Sequence, residues 1–244
     1  MEIRGIKDSR LPYVFLNVAS TADGKIAPAS RHFVPFSSKR DQELLFKLRA
    51  EADAVMSGAT TVRGKVDLGP GSEKYRKLRL KNGLAEFNLR VVATGTGSLR
   101  PDAYIFQRKF SPVLVLTTTK ASQSYLKALA GVAEDIHVSK GANINFTDAL
   151  IWLREKWNVR RLLCEGGGEI NGALFDENLV DDIYLTFSPL IFGGRDAPTL
   201  ADGKGVPRVA DAIKLKLRKM RRAGSELFLK YSVVRKENAA TKAK

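Results

Sequence analysis

The sequence has little of what marks several classes of protein. Its one cysteine, Cys164, allows no internal disulfide and no cysteine-based zinc site, and the two histidines, His32 and His137, are too few for a usual histidine-rich metal site. Charged residues, glycine or proline interrupt every apolar run well short of the about 18 residues of a membrane-spanning helix. Residues 1–10 are charged throughout and lack the apolar stretch of a signal peptide. We therefore expect a cytoplasmic protein that binds no metal and does not enter a membrane.

Two common catalytic motifs are also absent. The sequence contains neither the G-x-x-x-x-G-K-[ST] loop of P-loop proteins nor the G-x-S-x-G turn of serine hydrolases. It shows no obvious pairing of a nucleophile with a base. We therefore expect the chemistry to come from a bound organic cofactor.

Most of the excess positive charge lies near the C-terminus. The chain has 41 Lys and Arg residues against 26 Asp and Glu residues, a net charge of +15. Residues 213–220 alternate apolar and basic side chains, which predicts a strand with one face in solvent. Aromatic residues are not interleaved with the basic ones, as stacking of single-stranded bases requires. We therefore favour a solvated strand over a nucleic-acid partner, and keep a basic nucleic-acid-binding module as the alternative of another class.

The pattern of apolar residues predicts the fold class. Apolar residues make up 44% of the sequence, enough for a packed globular core. Strand-like and helix-like segments alternate over the first three quarters of the chain, which predicts an α/β fold with a mostly parallel central sheet flanked by helices. The predicted strands are residues 13–18, 53–57, 89–94, 113–118, 135–138, 161–164 and 182–187, and the predicted helices are residues 38–51, 119–131, 146–157 and 168–176.

The C-terminal part breaks this alternation. Two strands at about 212–221 and 226–234 are separated by Ala223, Gly224 and Ser225, which predicts an antiparallel hairpin at an edge of the sheet. Residues 66–88 show no clear periodicity and are interpreted as a long, mobile excursion. We expect one domain over 1–244, with its core at about 11–235 and a flexible lysine-rich tail at 236–244.

The sharpest motif is a run of three glycines between a strand and a helix. Gly166, Gly167 and Gly168 follow the strand directly, so a ligand can approach bare backbone at the free N–H groups of the helix start. That geometry suits a pyrophosphate, and a tight structural turn is the alternative. The dinucleotide fingerprint G-x-G-x-x-G is not met, because Gly172 comes one residue too late.

Three weaker motifs lie at other strand ends and loops. Gly58 and Thr61 follow the second strand, where hydroxyls and backbone N–H groups can hold a ribose or phosphate or simply cap a turn. Asp23 and Gly24 are above all a turn signal. The segment 189–194 is rich in proline and glycine and predicts a loop.

Taken together and in order, these motifs resemble the pyrimidine reductases of riboflavin biosynthesis, a family with a dihydrofolate-reductase-like fold that uses NADPH. The resemblance runs from about residue 11 to 235. The matching pieces are Pro12-Tyr-Val, Asn17, Ser20-Thr-Ala-Asp-Gly-Lys-Ile26, Asp53-Ala-Val-Met-Ser-Gly-Ala-Thr-Thr-Val62, Glu165-Gly-Gly-Gly168, Leu174-Phe175, Leu179-Val-Asp-Asp182 and Ser188-Pro-Leu-Ile-Phe-Gly-Gly-Arg-Asp-Ala-Pro198.

The resemblance implies an NADPH-dependent oxidoreductase of the 5-amino-6-(5-phosphoribosylamino)uracil reductase type. Such an enzyme reduces a ribosylamino-pyrimidine 5′-phosphate to the ribitylamino compound by hydride transfer to C1′ of the sugar. The fused zinc deaminase domain of some members needs H-x-E and P-C-x-x-C, which one cysteine cannot supply. The resemblance also implies a homodimer. The nearest alternative is a reductase of the same fold that acts on another small carbonyl, imine or pterin-like substrate.

The resemblance also assigns site residues. The implied substrate residues are Asn17, Ser20, Asp23, Gly24, Ser37 and Arg40. The implied NADPH-binding residues are Gly58, Thr61, Val62, Thr94, Gly95, Glu165, Gly166, Gly167, Gly168 and Ile170. The proton donor is undecided between Asp23, Lys25 and a bound water.

The chain departs from the family pattern in one loop. After the Thr-Val pair the family continues with two acidic residues and a proline, whereas here residues 63–70 read Arg-Gly-Lys-Val-Asp-Leu-Gly-Pro. Only Asp67 can replace the missing acidic pair. The departure leaves the expected fold intact and bears on the substrate.

Overall fold

The computed structural model describes residues 8–31, 36–95, 97 and 99–235. His32 and the predicted tail at 236–244 lie outside the described residues. Within them, nine strands form one sheet in the order β5-β4-β3-β2-β6-β1-β7-β9-β8. The strands are β1 (Tyr13–Thr21), β2 (Ala54–Gly58), β3 (Leu89–Ala93), β4 (Val113–Thr118), β5 (Asp135–Ser139), β6 (Arg161–Cys164), β7 (Asp182–Ser188), β8 (Lys214–Ala223) and β9 (Glu226–Val234).

Helices connect most of the parallel strands. Residues that commonly cap helices lie at their ends. The Ser38 hydroxyl accepts from the Arg40 N–H before α1, and Asn158 takes the left-handed conformation after α6. The described part of the chain holds no helix that is both long and apolar enough to cross a membrane. The helices are α1 (Lys39–Arg49), α2 (Ala59–Val62), α3 (Glu73–Lys81), α4 (Tyr104–Gln107), α5 (Gln123–Ala130), α6 (Phe146–Trp157) and α7 (Gly168–Asp176), with a 3₁₀ turn at Val209–Asp211.

The strand directions confirm the predicted fold class. The seven strands from β5 to β7 are all parallel to their neighbours, whereas β9 pairs antiparallel with β7 and with β8. The predicted hairpin therefore lies at one edge of the sheet. Parallel strands end on the same side, so the carboxyl ends of β3, β2, β6, β1 and β7 form one continuous edge.

Each face of the sheet carries its own hydrophobic core. Leu16 and Val18 of β1 pack on the face that α6 and α7 cover, with Leu150 of α6 among their neighbours. Phe15 points to the opposite face, where Leu48 of α1 belongs to the second core. The alternation along β1 therefore decides which helices each side chain meets.

The prediction that residues 66–88 form an irregular excursion was wrong, because the segment contains a helix. Residues 68–70 are buried, and α3 occupies the middle of the segment. Its buried side chains are Tyr75 and Arg79, and the Arg79 guanidinium donates to the main-chain oxygens of Arg49 and Ala52, both at 2.6 Å. An arginine that replaces an apolar residue on the buried side conceals the helical period from a hydrophobicity pattern.

The prediction that β8 has one covered face was also wrong. Nine of its ten residues are exposed, including Leu217 at 49% and Met220 at 65% of their surface. β8 is the outermost strand, and no described element packs on either of its faces. The hairpin therefore presents both a basic and an apolar row to its surroundings.

Candidate active site

The structure brings the predicted site residues to the carboxyl edge of the sheet. Thr94 follows β3, Gly58 ends β2, Gly166 follows β6 and Asp23 follows β1. These strands are neighbours in the order β3, β2, β6 and β1. The predicted cofactor residues therefore lie on one side of the boundary between β6 and β1, and Asp23 and Lys25 lie on the other. This edge is where parallel α/β sheets usually bind ligands.

Gly166, Gly167 and Gly168, here called the glycine turn, lie against the end of β2. The Gly166 carbonyl accepts from the Gly58 N–H at 2.9 Å and from the Ser57 hydroxyl at 3.1 Å. The peptide bond between Gly166 and Gly167 is cis. A Cβ on Gly58 would lie 3.0 Å from Cδ1 of Ile170, so position 58 has little room for a side chain. Main-chain contact thus joins the two predicted cofactor motifs.

The start of α7 is open on one side. Gly167 precedes the helix and supplies no capping side chain, so the first N–H groups of α7 lack a side-chain acceptor. A Cβ placed on Gly167 would meet nothing within 4 Å. An uncapped helix start beside open space is suited to an anion such as a pyrophosphate. The residues therefore fit the dinucleotide that the sequence predicts.

The other side of α7 is closed by residues 199–203. The Asp202 N–H donates to the Gly168 carbonyl at 2.9 Å, and the Asn171 amide donates to the Leu200 carbonyl at 2.8 Å. A Cβ on Gly172 would lie 1.7 Å from the Asp202 carbonyl oxygen. Among the described residues, the open approach to the glycine turn therefore lies on the side of Gly167.

The Glu165 carboxylate forms an ion pair with a buried side chain of the protein. Its two oxygens accept from Nε and Nη2 of Arg49 at 2.6 and 2.7 Å, while Nη1 of Arg49 donates to the Gly69 carbonyl at 2.6 Å. Burial alone would lower the pKa of the Arg49 guanidinium, but the Glu165 carboxylate outweighs burial and raises it above its ordinary value. The pair ties the glycine turn to α1 and to the segment 66–70. Sequence reasoning missed Arg49, because nothing in its local pattern marks it as buried.

The remaining predicted cofactor residues differ in burial and in how their main chain is held. They are Thr61, Val62, Thr94 and Gly95. Val62 is fully buried in the core, while Thr61 is half-buried beside it in α2. The main chain of the other two is held by the next strand: the Thr117 hydroxyl donates to the Thr94 carbonyl at 2.8 Å, and the Thr118 hydroxyl donates to the Gly95 carbonyl at 2.6 Å. These two β4 threonines were not predicted as part of the site.

The two candidate proton donors are held by loops. The Asp23 carboxylate accepts from the Thr21 hydroxyl and from the N–H groups of Phe192 and Gly193, and the Thr21 hydroxyl and these N–H groups hold its pKa below the ordinary value. Such a carboxylate is ionised near neutral pH and has no proton to give. The Lys25 ammonium spends one N–H on the Ala197 carbonyl at 3.0 Å.

Asn17 and Ser20, both predicted for the substrate, lie on opposite faces of β1. Asn17 follows the parity of Phe15 and projects toward α1, whereas Ser20 follows Leu16 and Val18. Gly24 has a φ of 78° in the turn after β1, which favours glycine there. The structure therefore does not bring Ser20 together with Asn17.

Ser37 and Arg40 line an open cavity of about 520 Å³ at the start of α1. Glu226 of β9 forms another part of its wall and accepts from the Ser38 N–H at 2.9 Å and from its hydroxyl at 2.5 Å. The hairpin is thereby fastened to the first turn of α1. Arg40 is exposed and free to reach an anion in this cavity.

Asp41 is a second carboxyl group in the first turn of α1, and sequence reasoning missed it. It is 7% exposed, and its Oδ2 accepts from the Ser37 hydroxyl at 2.6 Å. Burial raises the pKa of the Asp41 carboxyl, although the hydroxyls of Ser37 and Thr186 oppose that shift. Ser38 and Asp41 together read as a helix start, so the sequence gives Asp41 no signal beyond capping.

Asp67, the one acidic residue of the divergent loop, contacts other residues of the protein through both carboxylate oxygens. Oδ1 of Asp67 accepts from the Gly69 N–H at 2.9 Å, and Oδ2 lies 3.9 Å from Nε of Arg108. Leu68 is fully buried with a φ of 57°. Asp67 thus shapes the segment that Arg49 also holds.

Comparison with known proteins gives sequence relatives along nearly the whole chain. The family described as RibD C-terminal domain matches residues 12–229. A relative from Archaeoglobus fulgidus is 35% identical over 214 residues, which cover 87% of this chain and 94% of the relative. A relative from Methanothermobacter thermautotrophicus is 31% identical over 237 residues, covering 91% of this chain and 98% of the relative. Both are named 2,5-diamino-6-ribosylamino-4(3H)-pyrimidinone 5′-phosphate reductase.

Solved structures share the fold. A pyrimidine reductase-like protein from Corynebacterium diphtheriae has a TM-score of 0.76 at 21% identity, covering 92% of this chain and 93% of that one. RibD from Acinetobacter baumannii has a TM-score of 0.73 at 20% identity, covering 93% of this chain and 59% of that one. These structures confirm the dihydrofolate-reductase-like architecture that the resemblance implies.

Proposed function

Because the chain belongs to the family described as RibD C-terminal domain, we propose that it is an NADPH-dependent reductase of riboflavin biosynthesis. Its substrate is 2,5-diamino-6-ribosylamino-4(3H)-pyrimidinone 5′-phosphate, which it converts to the ribitylamino compound. Two relatives at 35% and 31% identity bear this reaction in their names, which favours the 2-amino ring over the uracil ring. The observation that carries the proposal is the uncapped, open start of α7 at the glycine turn.

The glycine turn and the neighbouring strand ends would hold the dinucleotide. The N–H groups at the start of α7 would face its pyrophosphate, and Thr94 and Gly95, whose main chain is fixed by Thr117 and Thr118, would border its adenosine half. NADPH, when bound, supplies a hydride for C1′ of the sugar. The protein positions this carbon against the hydride donor, and orientation supplies much of the rate.

The ring oxygen of the sugar needs a proton when the ring opens. Lys25 is the better donor of the two candidates, because its ammonium spends one N–H on Ala197 and keeps others, whereas Asp23 is held ionised. Ser37 and Arg40 would hold the sugar and its phosphate, since a guanidinium binds two phosphate oxygens at once.

We further propose a homodimer that uses the outer face of the hairpin. Leu215, Leu217 and Met220 form an exposed apolar row on β8. Their partners on β9 are Val233, Tyr231 and Leu229, of which Leu229 is already buried in the core. A second copy of the chain would cover this row and the free edge of β8, which otherwise offers unpaired backbone groups. The location in the cytoplasm and the single-domain organisation stay predictions from the sequence.

A glycine substitution tests the cofactor site. Gly167→Val fills the open space beside α7 without a clash in the protein, so we expect the far-UV circular dichroism to stay unchanged while NADPH binding is lost. Gly131→Val is the matched control, because its Cβ meets only ordinary contact at 3.5 Å from the Ala128 carbonyl, far from this edge. Binding is measured by the fluorescence of NADPH on titration. Unchanged affinity in Gly167→Val would refute the site.

Turnover tests the reaction itself. Oxidation of NADPH is followed at increasing concentrations of the 2-amino substrate and, separately, of its deaminated uracil form. We expect turnover that depends on the pyrimidine, with the 2-amino form preferred. NADPH binding without turnover of either ring would retain the cofactor and overturn the substrate. Salt-sensitive RNA binding in the absence of NADPH binding would instead support the nucleic-acid alternative.

A further inference from the structure

β8 contains one residue more than β9 over the length that the two strands share. Leu217 lies opposite Tyr231 of β9, and Lys219 lies opposite the neighbouring Lys230, so Arg218 is the extra residue of a β-bulge. A shift of one residue changes the face on which every later side chain of a strand projects. The bulge therefore decides which residues of β8 share a face.

The bulge separates the basic side chains of β8 from the apolar ones. In a regular strand, Met220 would share a face with Lys216 rather than with Leu217. Here the partners of Met220 and Leu217 on β9, Leu229 and Tyr231, are two residues apart, so Met220 and Leu217 project on the same face. The cations lie on the opposite face, here called the basic face, which carries Lys214, Lys216, Arg218, Lys219 and Arg221.

A buried carboxylate holds the extra residue on the basic face. Nε of Arg218 donates to the Ser232 hydroxyl at 3.0 Å, and this hydroxyl donates to Oδ1 of Asp182 at 2.8 Å. Oδ2 of Asp182 lies 2.9 Å from the Lys230 ammonium. Hydrogen bonds to β9 and β7 therefore determine where Arg218 lies, although Arg218 itself is exposed.

The basic face keeps an excess of positive charge at the surface. Its five residues are all exposed. The carboxylates of β7 and β9 that project on this face are Asp182 and Glu226, which are 2% and 8% exposed, and Glu226 accepts from Ser38. Together with Lys230, six cations stand against two buried carboxylates. The exposed charge is therefore positive along the whole strand.

The arrangement of these cations favours a repeating polyanion over a folded protein as the partner. Alternate residues of a strand lie about 7 Å apart, so the cations form a straight row. Protein–protein interfaces are depleted of charged residues at their centre, whereas protein–DNA interfaces are strongly positive. The net charge of +15 attracts a polyanion over a distance and repels a second copy of the chain from the basic face.

The positions of the aromatic and apolar residues disfavour two other anionic partners. Of the two aromatic residues of the hairpin, Tyr231 lies on the apolar face, and Phe228 is 6% exposed beneath the Arg221 guanidinium at 4.9 Å. The bases of a single strand would therefore find no exposed ring of the hairpin to stack on. An anionic membrane would meet the cations without the apolar row, which projects on the opposite face.

We propose that the basic face binds the phosphate backbone of duplex DNA without reading its sequence. Lysine and arginine contacts to phosphates position a protein on a duplex and carry no sequence information. Duplex RNA is recognised largely through its 2′-hydroxyls across the minor groove, whereas the basic face presents a single row of donors. The inference is independent of the proposed reductase function, because β8 is the outermost strand and the glycine turn follows β6.

Binding of a fluorescently labelled duplex to the full chain tests the proposal. The anisotropy of a duplex of about 20 base pairs is measured at several salt concentrations. We expect the logarithm of the association constant to fall against the logarithm of the salt concentration with a slope of about −4, because each neutralised phosphate contributes about 0.9. Absence of binding at low salt would overturn the proposal.

A pair of charge reversals locates the binding. Lys216→Glu together with Lys219→Glu should lower the affinity at least about 30-fold and make the salt slope shallower by about two. The matched control is Lys74→Glu together with Lys127→Glu, which changes the net charge equally at exposed positions on α3 and α5. The control should keep the slope and lose less than about 3-fold in affinity. Equal effects in the two double variants would overturn the proposal.

Neutral substitutions keep the proposal testable if charge reversal impairs folding. Lys216→Gln together with Lys219→Gln should also make the slope shallower by about two. The dissociation constant of NADPH should be the same in all variants, so loss of DNA binding by the wild-type protein with NADPH binding intact would refute this inference alone. Tighter binding to vesicles of equal phosphatidylserine and phosphatidylcholine, or to a polyglutamate peptide, than to the duplex would also overturn it.

Discussion

The glycine turn with α7 and the hairpin of β8 and β9 are two regions built in opposite ways. Around α7, main-chain atoms touch so closely that a Cβ on Gly172 would lie 1.7 Å from the Asp202 carbonyl oxygen. On β8, nine of ten residues are exposed and their side chains alternate between basic and apolar. One region is determined by the absence of side chains and the other by their pattern.

The contrast shows which features of the sequence determine the structure of each region. Beside α7 there is no space for one added carbon at Gly172, so the structure of this region depends on which residue stands at that position. On β8 no described element depends on any one side chain, so substitutions should change what the surface binds rather than how the chain folds. Both regions contact α1, which is the junction between them. Glu226 of β9 accepts from the Ser38 N–H at the start of the helix, and Glu165, directly before the glycine turn, accepts from Arg49 at its end.

The largest loss of stability is expected where a buried charge loses its partner. Arg49→Met leaves the Glu165 carboxylate, whose side chain is only 11% exposed, without its cation. Breaking a buried ion pair from one side typically costs about 3–5 kcal/mol. Urea unfolding would measure it. The matched control is Arg100→Met, which removes an ion pair at the surface, and equal losses in the two variants would contradict the contrast.

Gly172→Ala should come next. The added methyl group would collide with the Asp202 carbonyl, so residues 199–203 must move away from α7. Overpacking of this kind costs about 1–3 kcal/mol. The control is Gly64→Ala, where a Cβ meets nothing within 4 Å, and chemical denaturation of both variants gives the comparison. No loss at Gly172 would mean that the closed side of α7 opens easily.

Substitutions on β8 should leave folding alone and change association. Leu217→Ser together with Met220→Ser removes two members of the exposed apolar row. We expect the unfolding free energy of the monomer to change by no more than about 0.5 kcal/mol, as for most surface substitutions. The mass in solution, measured by light scattering, should fall from dimer to monomer. A variant that unfolds early at unchanged mass would show that the hairpin is not the tolerant region.

The smallest effect is expected at the junction and depends on pH. Burial raises the pKa of Asp41 in the folded protein above its ordinary value of 3.8, so its contribution to stability is present below pH 3.8 and is lost as the pH rises through the folded pKa. Asp41→Asn has no such loss. Relative to this variant, the wild-type protein should therefore become less stable between pH 3.5 and pH 7, which thermal unfolding across about that range would measure. A constant difference between the two proteins would contradict it.

Much of the fold could be predicted because local pattern and final packing agree. The strand at 161–164, the glycines after it and the helix at 168–176 are visible as an apolar run, a break and a helical period, and the structure has the same bounds. α3 was missed because a buried arginine, Arg79, occupies a position where pattern analysis expects an apolar residue. The prediction for β8 was correct for the strand and wrong for its burial, because alternation of apolar and basic residues predicts a strand but does not show whether the apolar face is covered.

The site could be predicted only where the chain itself carries a motif. Gly58 and Gly166 are marked by strand ends and lie 2.9 Å apart between N and O. Arg49, Asp41 and Thr186 have no local signal, because their importance comes from partners more than a hundred residues away or on another element. Long-range pairing of this kind is decided by the topology of the sheet.

The hydrogen bonds of Asp23 bear on the rate at which ligands enter and leave this end of the sheet. Its carboxylate joins the turn after β1 to the N–H groups of Phe192 and Gly193 after β7, so either loop must break these hydrogen bonds to move away from the other. Entry and exit at this end of the sheet would then be one event with one rate. Exchange of the Phe192 and Gly193 amide protons with deuterated water would report that rate directly.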